Sequence, residues 1–241
     1  MGTHFTPAAM KFLRGLKRNN DRTWFEARRS VYEQELKAPM LALIEEINHG
    51  MESFAPDHLR PAPKAMMRIY RDTRFSSDKR PYKHHVAAWW SRHGLEKTSG
   101  GGYYVHIAPD ELLIAAGAYM PERDQLLAIR RWMSEHHEEF RKRMKQALRP
   151  QRGEVAPLQA EDGQMLSRMP KGFAPDDAAG ELLRAKSWGV RQTLPGEAAL
   201  EPSLAKQILA GFKRATPVVD ALNEAILGAK KTPAVSLNRL F

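Results

Sequence analysis

Residues 100–116 read GGGYYVHIAPDELLIAA, and this stretch decides the fold class. Its two apolar runs, residues 103–107 and 112–116, have the composition and length of β-strands. Pro109 and Asp110 between the runs are turn residues, and the glycines at 100–102 mark another turn before the first run. The stretch therefore predicts an antiparallel β-hairpin.

The sequence on either side of the hairpin predicts more strands and two groups of helices. Apolar and polar side chains alternate at residues 67–69, and apolar side chains cluster at residues 84–90; both patterns are typical of strands. Apolar residues recur every three or four positions in several segments before residue 54, in a long segment that Pro121 opens, and in shorter ones at 178–186, 202–215 and 217–228. Helices at both ends of a meander indicate an α+β fold, with an antiparallel β-meander of three to five strands packed with N-terminal and C-terminal helices.

A chain of 241 residues has the length of one large domain or two small ones. We predict a single α+β domain over residues 1–228 and a flexible C-terminal tail over residues 229–241. The first residues lack the charged and apolar regions of a signal peptide, and no apolar run is long enough to span a membrane.

The chain contains no cysteine. A disulfide framework, a cysteine nucleophile and a cysteine-based zinc or iron–sulfur site are therefore excluded. The composition is typical of a reducing compartment, so a cytoplasmic location is predicted. The sequence also lacks the H-E-x-x-H and G-x-S-x-G motifs and any Gly-rich phosphate loop, and neither a metal nor a cofactor is predicted.

Positive charge is concentrated in one part of the chain. The net charge is +10, and residues 60–85 hold eight lysines or arginines against two aspartates. A basic protein is attracted to phosphates, nucleic acid and other anions. The position of the charge indicates where such a partner would bind.

The centre of this region, residues 68–83, reads RIYRDTRFSSDKRPYK. Arginine presents a planar fork of donors that matches phosphate or carboxylate groups, and lysine adds a point charge. Asp72 and Asp78 are expected to pair with arginines and fix their rotamers, while the interleaved aromatic residues and Pro81 restrict the backbone. A solvated basic loop and an internal salt-bridge network are the alternative interpretations.

A second group of polar side chains is predicted on the sheet. If Val105 and Ile107 face the helices, Tyr104 and His106 share the opposite face. Arg68 would lie on that face from its own strand, so that the loop after it covers a polar pocket. An ordinary open sheet face is the alternative.

These patterns leave three functions open: a binding protein for a phosphate- or carboxylate-bearing ligand, an enzyme acting on an anionic substrate, and a structural module. Nucleic acid is the larger form of the anionic partner in the first of them. Asp72, Asp78 or His106 would be the base of the enzyme. The predicted ligand-binding residues are Arg68, Arg71, Asp72, Arg74, Asp78, Lys79, Tyr82, Lys83, Tyr104 and His106.

Several motifs in this order resemble a known family. They are F12-L-x-x-L-x-x-N-N-x-R-x-W-F25, Pro63-Lys64, R71-D-x-R-F-S-x-D-K-x-P-Y-K83, Gly102-Tyr103-Tyr104, Pro170-Lys171-Gly172-Phe173 and Leu182-Leu183-x-x-Lys186-Ser187. Over roughly residues 5 to 215 the chain resembles the conserved hypothetical proteins of bacteria and fungi grouped as domain of unknown function 2461. The resemblance implies an intracellular α+β domain and brings no activity, substrate or catalytic residue with it.

Overall fold

The fold is described from a computed structural model. It covers residues 4–74, 76–95, 100–161 and 163–231, with side chains up to residue 229. Most of the tail predicted at 229–241 and the aromatic residue Phe75 lie outside the described residues.

The N-terminal part of the chain is helical. Thr6 caps the first helix with its side-chain oxygen, and Asp21 caps the second in the same way. A π-helical turn, Glu33–Lys37, separates the third helix from the fourth, and Pro39 lies in the first turn of the fourth, where a missing N–H costs nothing. The helices are α1 (Pro7–Arg18), α2 (Arg22–Glu26), α3 (Arg29–Tyr32), α4 (Ala38–Met51) and α5 (Ala62–Ala65), with a 3₁₀ turn at Pro56–His58.

A five-stranded antiparallel sheet follows. Its strands are β1 (Val86–Ser91), β2 (Gly102–Ile107), β3 (Glu111–Ala118), β4 (Gln159–Ala160) and β5 (Trp188–Pro195), in the order β1-β2-β3-β5-β4. Trp89 pairs with Tyr104, Tyr104 with Ala115, and Ala115 with Arg191. The predicted hairpin and the α+β class are confirmed.

The C-terminal part of the chain is again helical, and its last helix covers one face of the sheet. The helices are α6 (Arg123–Ala147), α7 (Gly180–Arg184) and α8 (Leu204–Lys231), with a 3₁₀ turn at Gly196–Leu200 before α8. Phe212 of α8 packs against Trp90 and Tyr103, with ring centroids 5.5 and 5.0 Å apart. The indole N–H of Trp90 donates to Asn48 of α4 at 2.8 Å, so one core joins both helical groups to the sheet.

Two local predictions are wrong. Residues 67–69 form no strand of the sheet; Met66 and Tyr70 make only isolated bridges, to Ala88 and Tyr82. The two helices predicted at 202–215 and 217–228 are one helix that continues through Pro217 to Lys231. No helix in the described part of the chain is both long and apolar enough to cross a bilayer.

Candidate functional site

The basic segment, residues 68–83, folds back on itself as a closed loop. The N–H of Arg71 donates to the carbonyl of Pro81 at 2.9 Å, and the N–H of Lys83 donates to the carbonyl of Ile69 at 2.8 Å. These two bonds bring the ends of the segment together. The base of the loop is therefore held by backbone hydrogen bonds.

The base of the loop is anchored to the N-terminal helices through Asn20 and Phe25. The side-chain amide of Asn20 accepts from the N–H of Tyr82 at 3.0 Å and donates to its carbonyl at 2.9 Å, as a neighbouring strand would. The rings of Phe25 and Tyr82 stack with centroids 4.2 Å apart. Tyr82, only 1% exposed, is thus a packing residue of the loop.

Two aspartates bind the arginines at the tip of the loop. Asp72 accepts from Nε and Nη2 of Arg74 at 3.0 and 2.7 Å. Asp78 accepts from Nε and Nη2 of Arg80, at 3.0 and 2.7 Å, and also from Arg71. The predicted pairing of both aspartates with arginines is present.

The same ion pairs set the protonation of the two acids. Hydrogen bonds from Arg74 lower the pKa of Asp72 to about 2, and hydrogen bonds from Arg80 and then Arg71 lower the pKa of Asp78 further below its usual range. Both carboxylates are already bound to guanidinium groups. A general base must be able to take a proton near neutral pH, so neither aspartate is suited to that role.

A groove lies beside the loop, between it and the α3–α4 region. We call it the cationic groove; its volume is about 750 Å³. Its walls are Tyr32, Lys37, Leu41, Pro63, Met66, Met67, Arg68, Tyr70, Asp72 and Lys83. Of the ten predicted residues, Arg68, Asp72 and Lys83 line it.

The charged side chains of the groove differ in what they bind. Lys37 donates to Glu33 at 2.7 Å, across the π-helical turn, and Asp72 is held by Arg74. Arg68 is exposed and makes no side-chain hydrogen bond or ion pair within the described part of the chain. π-Helical turns are often found at functional sites, and this one contributes Lys37 to the groove.

Tyr104 and His106 lie in a different place. They face away from α8, in a second cavity of about 450 Å³ that we call the sheet-face cavity. The Tyr104 hydroxyl lies 3.2 Å from Nδ1 of His106, whose Nε2 lies 3.0 Å from Glu111. The structure does not bring these two residues together with the arginines of the loop.

The chain matches a known family over most of its length. The model of the family described as conserved hypothetical protein (DUF2461) matches residues 8–220. The chain belongs to this family. No curated protein is significantly similar to it in sequence.

The family match contains the loop, the cationic groove and the sheet-face cavity. It extends from α1 into the middle of α8, so every residue lining either cavity lies within it. Within the described residues, no three histidine, aspartate or glutamate side chains come together as metal ligands would.

Seven of the ten residues that line the groove are absent from the predicted site, and they include Tyr32, Lys37 and Pro63. Pro63 carried a signal, because the Pro63-Lys64 pair is among the motifs that resemble the family. Tyr32 and Lys37 gave none, since each looks like an ordinary helix residue until the π-helical turn places both beside the loop. Arg71, Arg74 and Lys79 are instead bound to Asp78, Asp72 and the carbonyl of Thr73.

Another cavity, of about 1210 Å³, lies between α6, α7 and β5. Its cations, Arg141, Lys142, Lys145 and Arg149, come from the end of α6 and the residues that follow. None of the ten predicted residues lies on its wall, so the cationic groove remains the candidate site.

Proposed function

We propose that the protein binds an anionic ligand, carrying phosphate or carboxylate groups, in the cationic groove. The observation that carries the proposal is Arg68, an exposed guanidinium on the groove wall without an ion pair among the described residues. The fork of Arg68 can bind two oxygens of one phosphate or carboxylate group.

The other charges of the groove support the same ligand class. Lys83 adds positive charge to the wall. Among the described lining residues Asp72 is the one acid, and it pairs with Arg74, while Lys37 pairs with Glu33. A ligand anion about 4 Å from Arg68 would gain roughly 1 kcal/mol in bulk water and about 4 kcal/mol near a partly shielded surface. Tyr32 and Tyr70 on the same wall offer ring surface to the uncharged part of the ligand.

The ion pairs of Asp72 and Asp78 have a supporting role in this proposal. They fix Arg71, Arg74 and Arg80 outside the groove and stiffen the loop from which Arg68 and Lys83 project. A preorganised wall loses less conformational freedom when the ligand binds.

The test is calorimetric titration with inorganic pyrophosphate and with citrate. We expect the native protein to bind at least one of them, and Arg68→Gln to weaken that binding about tenfold or more, a change of about 1.4 kcal/mol. Arg131→Gln is the matched control, because Arg131 is an exposed arginine of α6 outside the groove. Absence of binding by the native protein, or equal weakening in the control, would reject the proposal.

A nucleic acid is the larger anionic partner, and salt dependence separates it from a small ligand. Binding of a single-stranded oligonucleotide should weaken with log K falling by about 0.7 per phosphate contact for each log unit of salt. A flat response rejects nucleic acid and leaves the small anion. The cytoplasmic location remains a prediction.

A structural module is the second candidate, because five charged residues of the loop tip already pair with one another. They are Arg71, Asp72, Arg74, Asp78 and Arg80. If this is their whole role, Arg71→Ala lowers stability and neither pyrophosphate nor citrate binds the native protein.

A further inference from the structure

The sheet-face cavity is a second concave site, chemically unlike the cationic groove. It lies on the face of the sheet that α8 leaves uncovered, where Trp89 and Tyr104 are cross-strand neighbours with ring centroids 6.4 Å apart. The residues on the neighbouring strands are small. Ala115 on β3 pairs with Tyr104, and Gly117 on β3 pairs with Gly189 on β5. Large rings next to a row of small residues leave the hollow.

The small residues of this hollow are required by the backbone. A Cβ atom on Gly117 would lie 2.2 Å from the carbonyl oxygen of Trp188, and one on Gly189 would lie 2.5 Å from that of Ala116. Gly117 also has a φ of +148°, which side chains rarely adopt. The floor of the cavity is therefore held open by the sheet itself.

Apart from Glu161, the polar side chains of the cavity are uncharged, and they are only partly bonded. Glu111 accepts from Nε2 of His106, which leaves Nδ1 to accept the proton of the Tyr104 hydroxyl. The Tyr104 oxygen then keeps its acceptor lone pairs. The indole N–H of Trp89, a residue 7% exposed, is buried without a hydrogen-bond partner.

His85 adds a further ring to the same wall. It stacks on His106 with centroids 4.7 Å apart and makes no side-chain hydrogen bond among the described residues. Burial is the main cause that lowers the pKa of His85 to about 3, and burial also lowers the pKa of His106. Both imidazoles are neutral at physiological pH, and among the described lining residues only Glu161 carries a charge.

We propose that the sheet-face cavity binds a small, uncharged molecule with a flat ring and a donor and an acceptor along one edge. The ring lies between the aromatic wall and the small-residue floor. The acceptor meets the orphaned N–H of Trp89, and the donor meets the Tyr104 oxygen or His85. A largely apolar hollow with a few polar groups is the usual form of a small-molecule site. Glu161 is the one charged group among the described lining residues, and its carboxylate disfavours an anion.

Two probes of one shape test the chemistry: nicotinamide and its anionic analogue nicotinate. We expect nicotinamide to bind in the millimolar range, as suits so small a probe, and to bind at least about fivefold tighter than nicotinate. Nuclear Overhauser contacts should join its ring protons to the methyl groups of Leu113, in this cavity, and not to those of Leu41, in the cationic groove.

Two variants localise the site. Ala115→Leu fills the hollow and should weaken nicotinamide binding about tenfold or more, whereas Ala8→Leu, on an exposed position of α1, should not change it. Trp89→Phe keeps an aromatic ring and removes the indole N–H, and should weaken nicotinamide binding by about threefold or more. This variant tests the site if Ala115→Leu does not fold.

The outcomes separate this site from the groove. Nicotinamide binding should survive Arg68→Gln, which tests the cationic groove alone. The proposal is overturned if native protein shows no contact between nicotinamide and Leu113, if Ala115→Leu and Trp89→Phe bind as native protein does, or if nicotinate binds as tightly as nicotinamide.

Discussion

Replacement of Asn20 by alanine tests how the basic loop is held. Asn20 is the side chain that pairs with both backbone groups of Tyr82, at 2.9 and 3.0 Å. Alanine removes both partners at once. Tyr82 is 1% exposed, so its N–H and carbonyl have little access to water in the variant.

The structure gives the size of the effect. An unsatisfied buried donor or acceptor costs about 1–3 kcal/mol, and two are created here. Because Asn20 itself is half-buried, water can enter part of the vacated space, and we expect a loss of about 2–4 kcal/mol of unfolding free energy. That is a large fraction of the stability of an ordinary domain.

The assay is urea unfolding followed by tryptophan fluorescence, with Asn19→Ala as the control. Asn19 is the exposed neighbour of Asn20, and its side chain makes one bond, to the carbonyl of Gly15 at 3.0 Å. We expect that variant to lose about 1 kcal/mol or less. Amide hydrogen exchange at Tyr82 and Lys83 should also accelerate in Asn20→Ala. If both variants lose the same small amount, the anchoring role of Asn20 is refuted.

Two more predictions concern acid stability and the sheet. The pKa of Asp78 is lowered in the folded state, so its contribution to stability is present above about pH 4 and is lost as the pH falls toward the lowered value. In urea unfolding, the loss of unfolding free energy in Asp78→Asn should be large at pH 6 and smaller at pH 2.5. The control Asp176→Asn, at a residue without an ion pair among the described residues, should show no such change. A deficit that is equal at both pH values contradicts the linkage. Gly117→Ala should cost about 3 kcal/mol or more, because its Cβ would lie 2.2 Å from the oxygen of Trp188 at a φ of +148°. Thermal unfolding of both variants tests this: Gly153→Ala, at a φ of +76° and with no other part of the chain within 4 Å of the added Cβ, should cost about 1 kcal/mol, and equal losses would show that the contact contributes nothing.

The hairpin could be predicted because its information is local. Residues 103–107 and 112–116 are apolar runs with a short turn between them, and they became β2 and β3 with slightly longer bounds. Strand β1 was predicted two residues early, since His84 and His85 precede the sheet. Local pattern and tertiary structure agree in this part of the chain.

Strand β5 could not be predicted by the same reasoning. Gly189 lies inside it and Pro195 ends it, and both residues are typical of loops. Its partner β3 lies seventy or more positions earlier in the chain. The backbones approach closely where Gly117 faces Gly189, and a side chain at either position would clash. A close approach between distant backbones leaves no pattern in either segment alone.

Pro217 misled the prediction of the last helix. A proline inside a helix removes one N–H bond and costs about 3 kcal/mol. A proline at position 217 cannot donate to the carbonyl four positions earlier, at residue 213. Phe212 and Val218, on either side of the proline, are fully buried, and this burial outweighs the local cost.

The site was predicted in part. The spacing of charges identified the loop and the Arg–Asp pairs, because those contacts are only two to seven residues apart. Placing Tyr104 and His106 with Arg68 failed, because that step assumed a strand at residues 67–69. Without the strand, Arg68 lies in the groove beside α4, a neighbour that no short-range pattern specifies.

The segment before β1 also covers one edge of the sheet. β1 is an edge strand of the sheet, and the chain that precedes it pairs with its outer side. Met66 forms a β-bridge with Ala88, and the N–H of Met67 donates to the carbonyl of Ala87. An uncovered strand of sequence VAAWWS would offer an apolar template to another molecule. Variants that loosen this segment should therefore be lost to self-association in the cell, which would lower the yield of protein before any defect in ligand binding could be measured.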